Sequence, residues 1–226
     1  MSEPAVTEVL VRGLVVGLFQ ENCWVIGNRR SGEAICIDPG DQADDILHMA
    51  AEMGVKIKVI ANSHAHIDHI LGVPGIKAAG NTDFYLHRGD LEIARGAAAK
   101  ARNFMGEVEQ PPDPDHFPEH GDVIEVDGVS LRVLHTPGHT PGSLSYFGNG
   151  MLFSGDTLFR GSIGRTDLPG GDLQQEMASI VDTLLALPDD TVVLPGHMDE
   201  TRIETERRTN PFILQELARR SGQSGY

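Results

Sequence analysis

Short runs of apolar and often β-branched residues recur along the whole chain and alternate with longer segments of helical spacing. Runs of this kind, bounded by Gly, Pro, Asn or Asp, predict β-strands. The predicted strands are residues 6–11, 23–26, 33–37, 57–61, 84–86, 123–126, 129–134, 144–147, 151–153 and 191–194. Strands that alternate with helices are typical of an α/β fold.

Apolar residues three and four positions apart predict helices between these strands. One helix begins after Asp41, its predicted N-cap, carries Ile46 and Ala50 on one face, and ends at Gly54. Further helices are predicted before Gly80, over residues 90–105 and 174–187, and in two C-terminal segments that meet at Asn210-Pro211.

The chain shows no low-complexity linker and no helical or propeller repeat. We therefore predict one domain, residues 1–220, followed by a flexible tail at 221–226. Residues 107–120 are rich in Pro and acidic residues, which predicts a long ordered loop or a lid over a site. His116 and His120 in this segment have no ligand spacing, and we expect them on the surface.

The charge of the chain limits its partners. Its 226 residues include 18 Lys and Arg against 33 Asp and Glu, so the formal net charge is −15. Binding to nucleic acids or anionic membranes needs clusters of basic residues, and we expect neither partner. Only 5% of the residues are aromatic, which also argues against a base-stacking surface.

The cellular compartment is inferred from the lack of targeting and membrane-spanning features in the sequence. The N-terminus lacks the basic segment and cleavage site of a signal peptide, and no run reaches the roughly 18 apolar residues of a membrane span. The two cysteines, Cys23 and Cys36, lie in apolar runs and are expected to be buried free thiols. We therefore expect a cytoplasmic protein.

The strongest chemical signal is the segment His64-Ala65-His66-Ile67-Asp68-His69, directly after a predicted strand. Side chains at 64 and 66 can converge on one cation, while those at 68 and 69 turn toward a second. Neutral imidazole and carboxylate suit Zn²⁺, Fe and Mn²⁺. A polar surface loop with chance histidines is the competing interpretation, and the rarity of the motif argues against it.

Three further candidate ligands lie downstream. His139, Asp156 and His197 each follow a glycine at the end of a predicted strand. Each alone would fit a turn or capping residue. Loops at strand ends are where a rigid sheet places functional side chains, so the three together predict a metal site that both halves of the chain complete.

The seven candidate ligands resemble the ligand set of the metallo-β-lactamase fold superfamily, and the resemblance covers nearly the whole chain. It implies a four-layer αβ/βα sandwich of two mixed sheets with outer helices. It also implies two metal sites. The first set would be His64, His66 and His139, the second set Asp68, His69 and His197, and Asp156 would bridge them.

Finer features resemble one branch of the superfamily. The β-lactamases usually have a cysteine near the second metal, and none is present here, so the set looks like that of glyoxalase II-like thioesterases, lactonases and nucleases. Residues 155–169 are similar to short glyoxalase II-like proteins, and the Gly-Arg-Thr-Asp segment also resembles persulfide dioxygenases. Full-length glyoxalase II has a C-terminal helical domain that helps to hold glutathione, whereas this chain ends about thirty residues after His197.

The resemblance implies a hydrolase that uses two divalent metal ions, with Zn²⁺ favoured and Fe or Mn²⁺ as alternatives. A hydroxide bridging the metals would attack a small-molecule thioester or ester, with Asp68 as general base. Arg160 or Arg165 could meet a substrate carboxylate. Both could equally be solvated loop charges, and Arg165 could pair with Asp167.

Other functions stay open at this point. A mononuclear iron persulfide dioxygenase would use only His64, His139 and Asp156, and a lactonase of the same fold is a further alternative. A metal-stabilised binding protein fits less well, because structural zinc sites are usually closed four-ligand sets. The acidic charge makes a nuclease the least favoured of these functions.

Overall fold

The first half of the chain forms a mixed sheet of five strands. In the computed structural model, which describes residues 8–222, they are β1 (Val9–Val16), β2 (Glu21–Asn28), β3 (Glu33–Ile37), β4 (Lys56–Ala61) and β5 (Asp83–Tyr85). The strands lie side by side in chain order. β1, β2 and β3 pair antiparallel, whereas β4 and β5 continue parallel to β3.

The second half forms a six-stranded sheet. Its strands are β6 (Val123–Val126), β7 (Val129–His135), β8 (Leu144–Gly148), β9 (Met151–Gly155), β12 (Val192–Pro195) and β13 (Thr201–Arg202). β9 and β12 are parallel neighbours, and the other pairs are antiparallel. A small hairpin of β10 (Leu158–Phe159) and β11 (Ser162–Ile163), which the sequence did not predict, follows β9.

Helices connect the strands. The first half contains α1 (Ala43–Met53), α2 (Ile67–Ile70), α3 (Val73–Ala79), α4 (Leu91–Arg95) and α5 (Ala97–Met105). The second half contains α6 (Leu173–Ala178), α7 (Ile203–Thr209) and α8 (Pro211–Arg220). Asn210 caps α8 by accepting hydrogen bonds from the N–H groups of Phe212 and Ile213, which confirms the predicted junction between the two C-terminal helices.

Alternation along the strands divides the core into layers, because successive side chains of a strand point to opposite faces. In β3, Ile35 and Ile37 pack between the two sheets, whereas Ala34 and Cys36 pack in the cluster that contains the buried residues of α1 and α3. Leu134 of β7 likewise packs on the outer face of the second sheet with residues of α6 and α8. The order helix, sheet, sheet, helix confirms the predicted fold class.

The first strand is longer than predicted and contains Gly13. We expected it to end at residue 11, and the start predicted at residues 6 and 7 lies outside the described residues. Gly13 is paired with Trp24 in β2. A Cβ atom on Gly13 would lie 2.7 Å from the Trp24 ring, so here glycine allows a close approach within a strand rather than ending it.

Three helices begin or continue differently from the prediction. Gln42, with φ of 51°, is the N-cap of α1, and the Asp41 carboxylate accepts the N–H of Gln42. The helix predicted over residues 90–105 is interrupted at Gly96 between α4 and α5. The helix predicted over residues 174–187 passes after α6 into a π-helical turn and a 3₁₀ turn.

Residues 107–120 form an irregular segment that pairs with β5. The N–H groups of Asp115 and His116 donate to the Phe84 carbonyl at 2.9 and 3.1 Å. His116 and His120 are exposed, as predicted. Cys23 and Cys36 are buried free thiols with their Sγ atoms 3.5 Å apart, which is also as predicted.

Two further observations concern membrane-spanning helices and the predicted C-terminal tail. Within residues 8–222, no helix has both the length and the apolar character needed to cross a membrane. Of the tail predicted at residues 221–226, the part from residue 223 onward lies outside the described residues.

Candidate metal centre

The seven candidate ligands lie together in loops that follow strand ends, at one edge of the two packed sheets. Four of them come from the segment after β4, where His64 and His66 precede α2 and Asp68 and His69 lie within it. The other three follow β7, β9 and β12, and they are His139, Asp156 and His197. Residues more than 70 positions apart in the sequence thus meet at one place, as the strand-end argument predicts.

Three imidazole nitrogens of the first set converge on one point. Nδ1 of His66 lies 3.1 Å from Nε2 of His64 and 2.9 Å from Nε2 of His139. His64 is fully buried, and the other two are 8% and 3% exposed. The three nitrogens belong to a group whose ligand atoms all lie within 4.8 Å of one another.

The hydrogen bonds on the far side of two rings indicate that lone pairs face this point. Nδ1 of His139 lies 2.7 Å from the Arg165 carbonyl oxygen, which can only accept a hydrogen bond, so Nδ1 carries the proton. In the neutral imidazole, Nε2 of His139 is then the unprotonated nitrogen. Ser63 Oγ donates to Asp38, so it accepts from Nδ1 of His64 at 2.9 Å. Facing lone pairs repel one another unless a cation lies between them.

The second set is a carboxylate with two imidazoles. Nε2 of His197 lies 3.2 Å from Oδ2 of Asp68, and Nε2 of His69 lies 3.9 Å from the same oxygen. Burial would raise the pKa of Asp68, but the hydrogen bond from His197 and the nearby His69 hold that pKa below its usual value.

Asp156 lies between the two sets. Its Oδ1 is 3.4 Å from Nε2 of His69, and its Oδ2 is 3.6 Å from Nε2 of His139 and 3.7 Å from Nε2 of His197. One carboxylate therefore faces nitrogens of both sets. This is the arrangement that a ligand shared by two cations requires.

Unpartnered buried atoms test whether this cluster fits metal ions. Nε2 of His69 and Oδ1 of Asp156 are fully buried and have no hydrogen-bond partner in the part of the chain that the structure describes. Leaving such groups buried and unsatisfied costs about 1–3 kcal/mol each. The two atoms lie 3.4 Å apart, and both are ligand types that divalent metals accept. The donor set fits such ions.

The electrostatics of the two sets differ. Burial, reinforced by neighbouring imidazoles, lowers the pKa of His66 to about 3 and holds that of His64 well below its usual value. Burial would also lower the pKa of His69, but the carboxylates around it raise that pKa well above its usual value. His64 and His66 thus present neutral imidazoles, the form that binds metals.

A model of the metallo-beta-lactamase superfamily matches residues 16–197. The matched range runs from β2 to β12 and contains all seven candidate ligands. The chain belongs to the metallo-beta-lactamase superfamily. The fold of this superfamily implies divalent metals, in agreement with the donor cluster.

Individual members of the superfamily resemble the chain over most of their length. Hydroxyacylglutathione hydrolase GloC of Haemophilus influenzae is 33% identical over 88% of this chain and 95% of that protein. The crystal structure of BLEG-1 B3 metallo-beta-lactamase has a TM-score of 0.83 and 34% identity, covering 90% of this chain and 99% of that one. The structure of TTHA1623 in a di-iron-bound form has a TM-score of 0.80 and 38% identity, covering 89% and 99%.

The seven candidate ligands of this superfamily member are held by residues that the sequence did not single out. Asp38 accepts from the N–H and the hydroxyl of Ser63, both at 2.6 Å, and its Oδ2 lies 3.1 Å from Nδ1 of His69. The segment Asp38-Pro39-Gly40 has the composition of a turn after β3. The position of Asp38 directly after a strand, like that of the candidate ligands, is the signal that could have identified it.

Asp90 joins the two loops that carry the first set, although the sequence suggested only a helix start there. Its buried carboxylate accepts from the Ala65 N–H at 2.9 Å, the Thr140 hydroxyl at 2.8 Å and the Gly142 N–H at 2.7 Å. Ala65 lies between two histidines of the first set and Thr140 follows the third. No local sequence pattern predicts this role, because all three donors are distant from Asp90 in the sequence and two of them are backbone N–H groups.

Glycine is required beside the second set. A Cβ atom on Gly196 would lie 2.5 Å from Oδ1 of Asp156 and 2.7 Å from Cε1 of His69. Real side chains do not tolerate such distances, so any larger residue at 196 would displace His69 or Asp156. The glycine before His197 therefore allows three candidate ligands to approach one another.

A cavity of about 560 Å³ opens over the cluster, a volume in the range of small-molecule sites. Its rim comes from the β1–β2 turn and α5. No residue of the segment 107–120 lines it, so the lid predicted there is wrong and the ordered-loop alternative holds.

Arg165 lines the cavity, whereas Arg160 lies at a separate depression and pairs with Asp199 at 3.2 Å.

Proposed function

We propose that the protein is a binuclear metallohydrolase that cleaves thioesters, similar in activity to glyoxalase II. The observation that carries the proposal is the position of Asp156, whose two oxygens lie 3.4–3.7 Å from imidazole nitrogens of both three-residue sets. A single structural metal needs one closed set of four ligands. Two open sets that share a carboxylate suit a catalytic pair of metals instead.

The residues that would hold the metals follow from the two sets. His64, His66 and His139 would bind one ion. Asp68, His69 and His197 would bind the other, with Asp156 shared. Divalent cations in such a site supply Lewis-acid activation of water and of a carbonyl group.

Asp68 is the residue best suited to move the proton. Its Oδ2 faces His197 at 3.2 Å, and the side chain is 20% exposed toward the cavity that it lines. Because its pKa is held low, it is ionised near neutral pH and can accept or orient a proton of the attacking water. Hydrolysis then breaks the bond between the carbonyl carbon and the sulfur, and it releases a carboxylic acid and a thiol.

The thioester is favoured over other substrates by two observations. The cavity wall contains seven apolar side chains, which suits the alkyl parts of an acyl thioester. In addition, the Haemophilus influenzae relative is named as a hydroxyacylglutathione hydrolase. Esters and lactones present the same carbonyl chemistry and are the nearest alternatives.

Metal analysis combined with a thiol-release assay tests the proposal. The purified protein should contain two divalent ions per chain and should release thiol from lactoylglutathione. A chromogenic cephalosporin serves as a comparison substrate, because the structural relative BLEG-1 is named as a B3 metallo-beta-lactamase. Bound metal without thiol release would favour a binding protein, and cephalosporin cleavage alone would replace the thioesterase proposal with a lactamase.

A second candidate is iron-dependent persulfide oxygenation. It would use one iron held by His64, His139 and Asp156. The structure of a 38% identical relative in a di-iron-bound form supports iron as a metal for these donors. Oxygen uptake with glutathione persulfide by the iron-loaded protein, without thiol release from lactoylglutathione, would support it over hydrolysis.

A further inference from the structure

Helix α5 presents a cation and an aromatic ring to the cavity. Lys100 and Phe104 both line it, and residues four positions apart lie on the same face of a helix. Ala97 and Ala101 of the same helix are buried in the core. The helix is thus anchored by small apolar residues, while it directs Lys100 and Phe104 toward the space above the donor cluster.

Lys100 differs from the other basic residues near the site in having no acidic partner among the residues that the structure describes. Arg165 is held by Asp167 through two hydrogen bonds of 2.8 Å. Arg160 pairs with Asp199 outside the cavity. Of the two cations that line the cavity, Lys100 is therefore the one whose charge is not already compensated by a carboxylate.

Phe104 completes an apolar rim next to Lys100. Its ring meets that of Phe19, from the β1–β2 turn, edge to face with centroids 5.9 Å apart. Phe104 remains 57% exposed and Phe19 38% exposed, although a substrate could cover both. Ile67 and Met198 line the same cavity. The cavity thus offers an incoming chain an apolar wall beside the donor cluster and the ammonium group.

We propose that Lys100 is a specificity-determining residue that binds a carboxylate of the substrate, remote from the thioester bond, while the apolar rim covers the segment between them. The substrate class is then an anionic acyl thioester that carries the carboxylate on its thiol portion. This inference rests on the proposed thioesterase function. In a chain with a net charge of −15, an uncompensated lysine at the cavity also offsets the general repulsion of anionic substrates.

The test compares two thioesters that share one acyl group. Lactoylglutathione carries carboxylates, and the lactoyl thioester of N-acetylcysteamine carries none. We expect the wild-type protein to favour the anionic compound in kcat/KM. Lys100→Met should reduce the ratio of kcat/KM between the anionic and the neutral compound about three- to tenfold, as expected for loss of one partly exposed charge pair. Lys100→Arg should restore most of the ratio.

Lys58→Met is the matched control, because Lys58 is also an exposed lysine without an ion pair among the described residues and lies away from the cavity. It should keep the wild-type ratio. Hydrolysis of both thioesters with an unchanged ratio in Lys100→Met would overturn the role of Lys100 and leave the thioesterase proposal intact. Hydrolysis of neither compound by the wild-type protein, loaded with zinc or iron, would overturn the thioesterase proposal and this inference with it.

Discussion

Oδ2 of Asp38 lies 3.1 Å from Nδ1 of His69 and also accepts the hydroxyl proton of Ser63 at 2.6 Å. Through Ser63 it reaches Nδ1 of His64 as well. One buried carboxylate therefore fixes a histidine of each three-residue set, directly in one case and through a hydroxyl in the other. Such outer contacts set the tautomer and the orientation of metal-binding imidazoles.

Asp38→Asn should weaken metal binding without unfolding the protein. The amide cannot accept hydrogen bonds at both oxygen positions, so His64 and His69 lose their fixed tautomers. We expect metal affinity to fall about 10–100-fold, measured by competition with a chromophoric chelator. Asp44→Asn, an exposed position in the first turn of α1, is the control for the change in charge. Equal affinities in both variants would show that Asp38 does not position the ligands.

Asp90→Ala should lower stability more than a surface change does. It leaves the N–H groups of Ala65 and Gly142 and the hydroxyl of Thr140 without their acceptor. With about 1–3 kcal/mol for each unsatisfied buried donor, partly relieved by water, we expect a loss of roughly 3 kcal/mol. Urea unfolding monitored by circular dichroism measures it. Glu92→Ala, an exposed position in α4, should change the free energy of unfolding by less than about 0.5 kcal/mol.

Asp68→Ala and His66→Ala should each abolish thioester hydrolysis while the fold is retained. The first removes both a candidate ligand and the proposed base, and the second removes the nitrogen at the centre of the first set. We expect kcat/KM to fall at least about 10³-fold, since the loss combines metal-ion and acid–base catalysis. Thiol release by variants with native circular dichroism spectra decides the question, and normal turnover in either would contradict the assignment of the site.

Removal of metal should lower the melting temperature. Without cations, the lone pairs of the first set face one another, and Asp68 and Asp156 lie close together, so the native state alone gains from metal binding. At a metal concentration 100 times Kd the gain is about 2.7 kcal/mol, or roughly 5–10 °C for a chain of this size. Calorimetry before and after dialysis against dipicolinate measures it. His197→Ala should show a smaller shift, and an identical shift would place the metal elsewhere.

The C-terminal helix should contribute stability that is lost in acid. Hydrogen bonds from Arg219 and Arg220 lower the pKa of Glu216 to about 2. Because the folded pKa lies below the unfolded value, the contribution is complete above about pH 4.5 and disappears as the pH falls toward 2. Glu216→Gln should therefore lower the melting temperature by roughly 1–4 °C at pH 7. The difference between the two proteins should shrink at pH 3, and a difference that is independent of pH would contradict this origin.

Much of the candidate site was predictable because its residues form recognisable patterns within short stretches of the sequence. The spacing of His64, His66, Asp68 and His69 after a β-branched run identified the first loop. Glycine before a polar residue at a strand end identified the other three ligands. Strand ends bring such loops to one edge in any layered α/β fold, so the grouping of these residues did not depend on details of packing.

Other features of the site had no local signature. Asp38 and Asp90 are single acidic residues whose partners are distant in the sequence, and the same is true of Lys100, which is recognisable only because α5 faces the cavity. The segment 107–120 had the composition of a lid, but its backbone pairs with β5 instead. Gly13 lies beyond the predicted end of the first strand at residue 11, and the close approach of the Trp24 ring explains why a glycine lies within β1.

The sequence by itself determined the α/β layering and the seven candidate ligands, because periodicity and residue type act over a few positions. The family resemblance already implied which histidines share a set and which carboxylate bridges the sets. Only the tertiary structure gave the distances between their atoms and showed which charge at the cavity remains uncompensated. Those properties depend on distances between atoms from different strands. Packing of the two sheets sets these distances, and no short stretch of sequence encodes them.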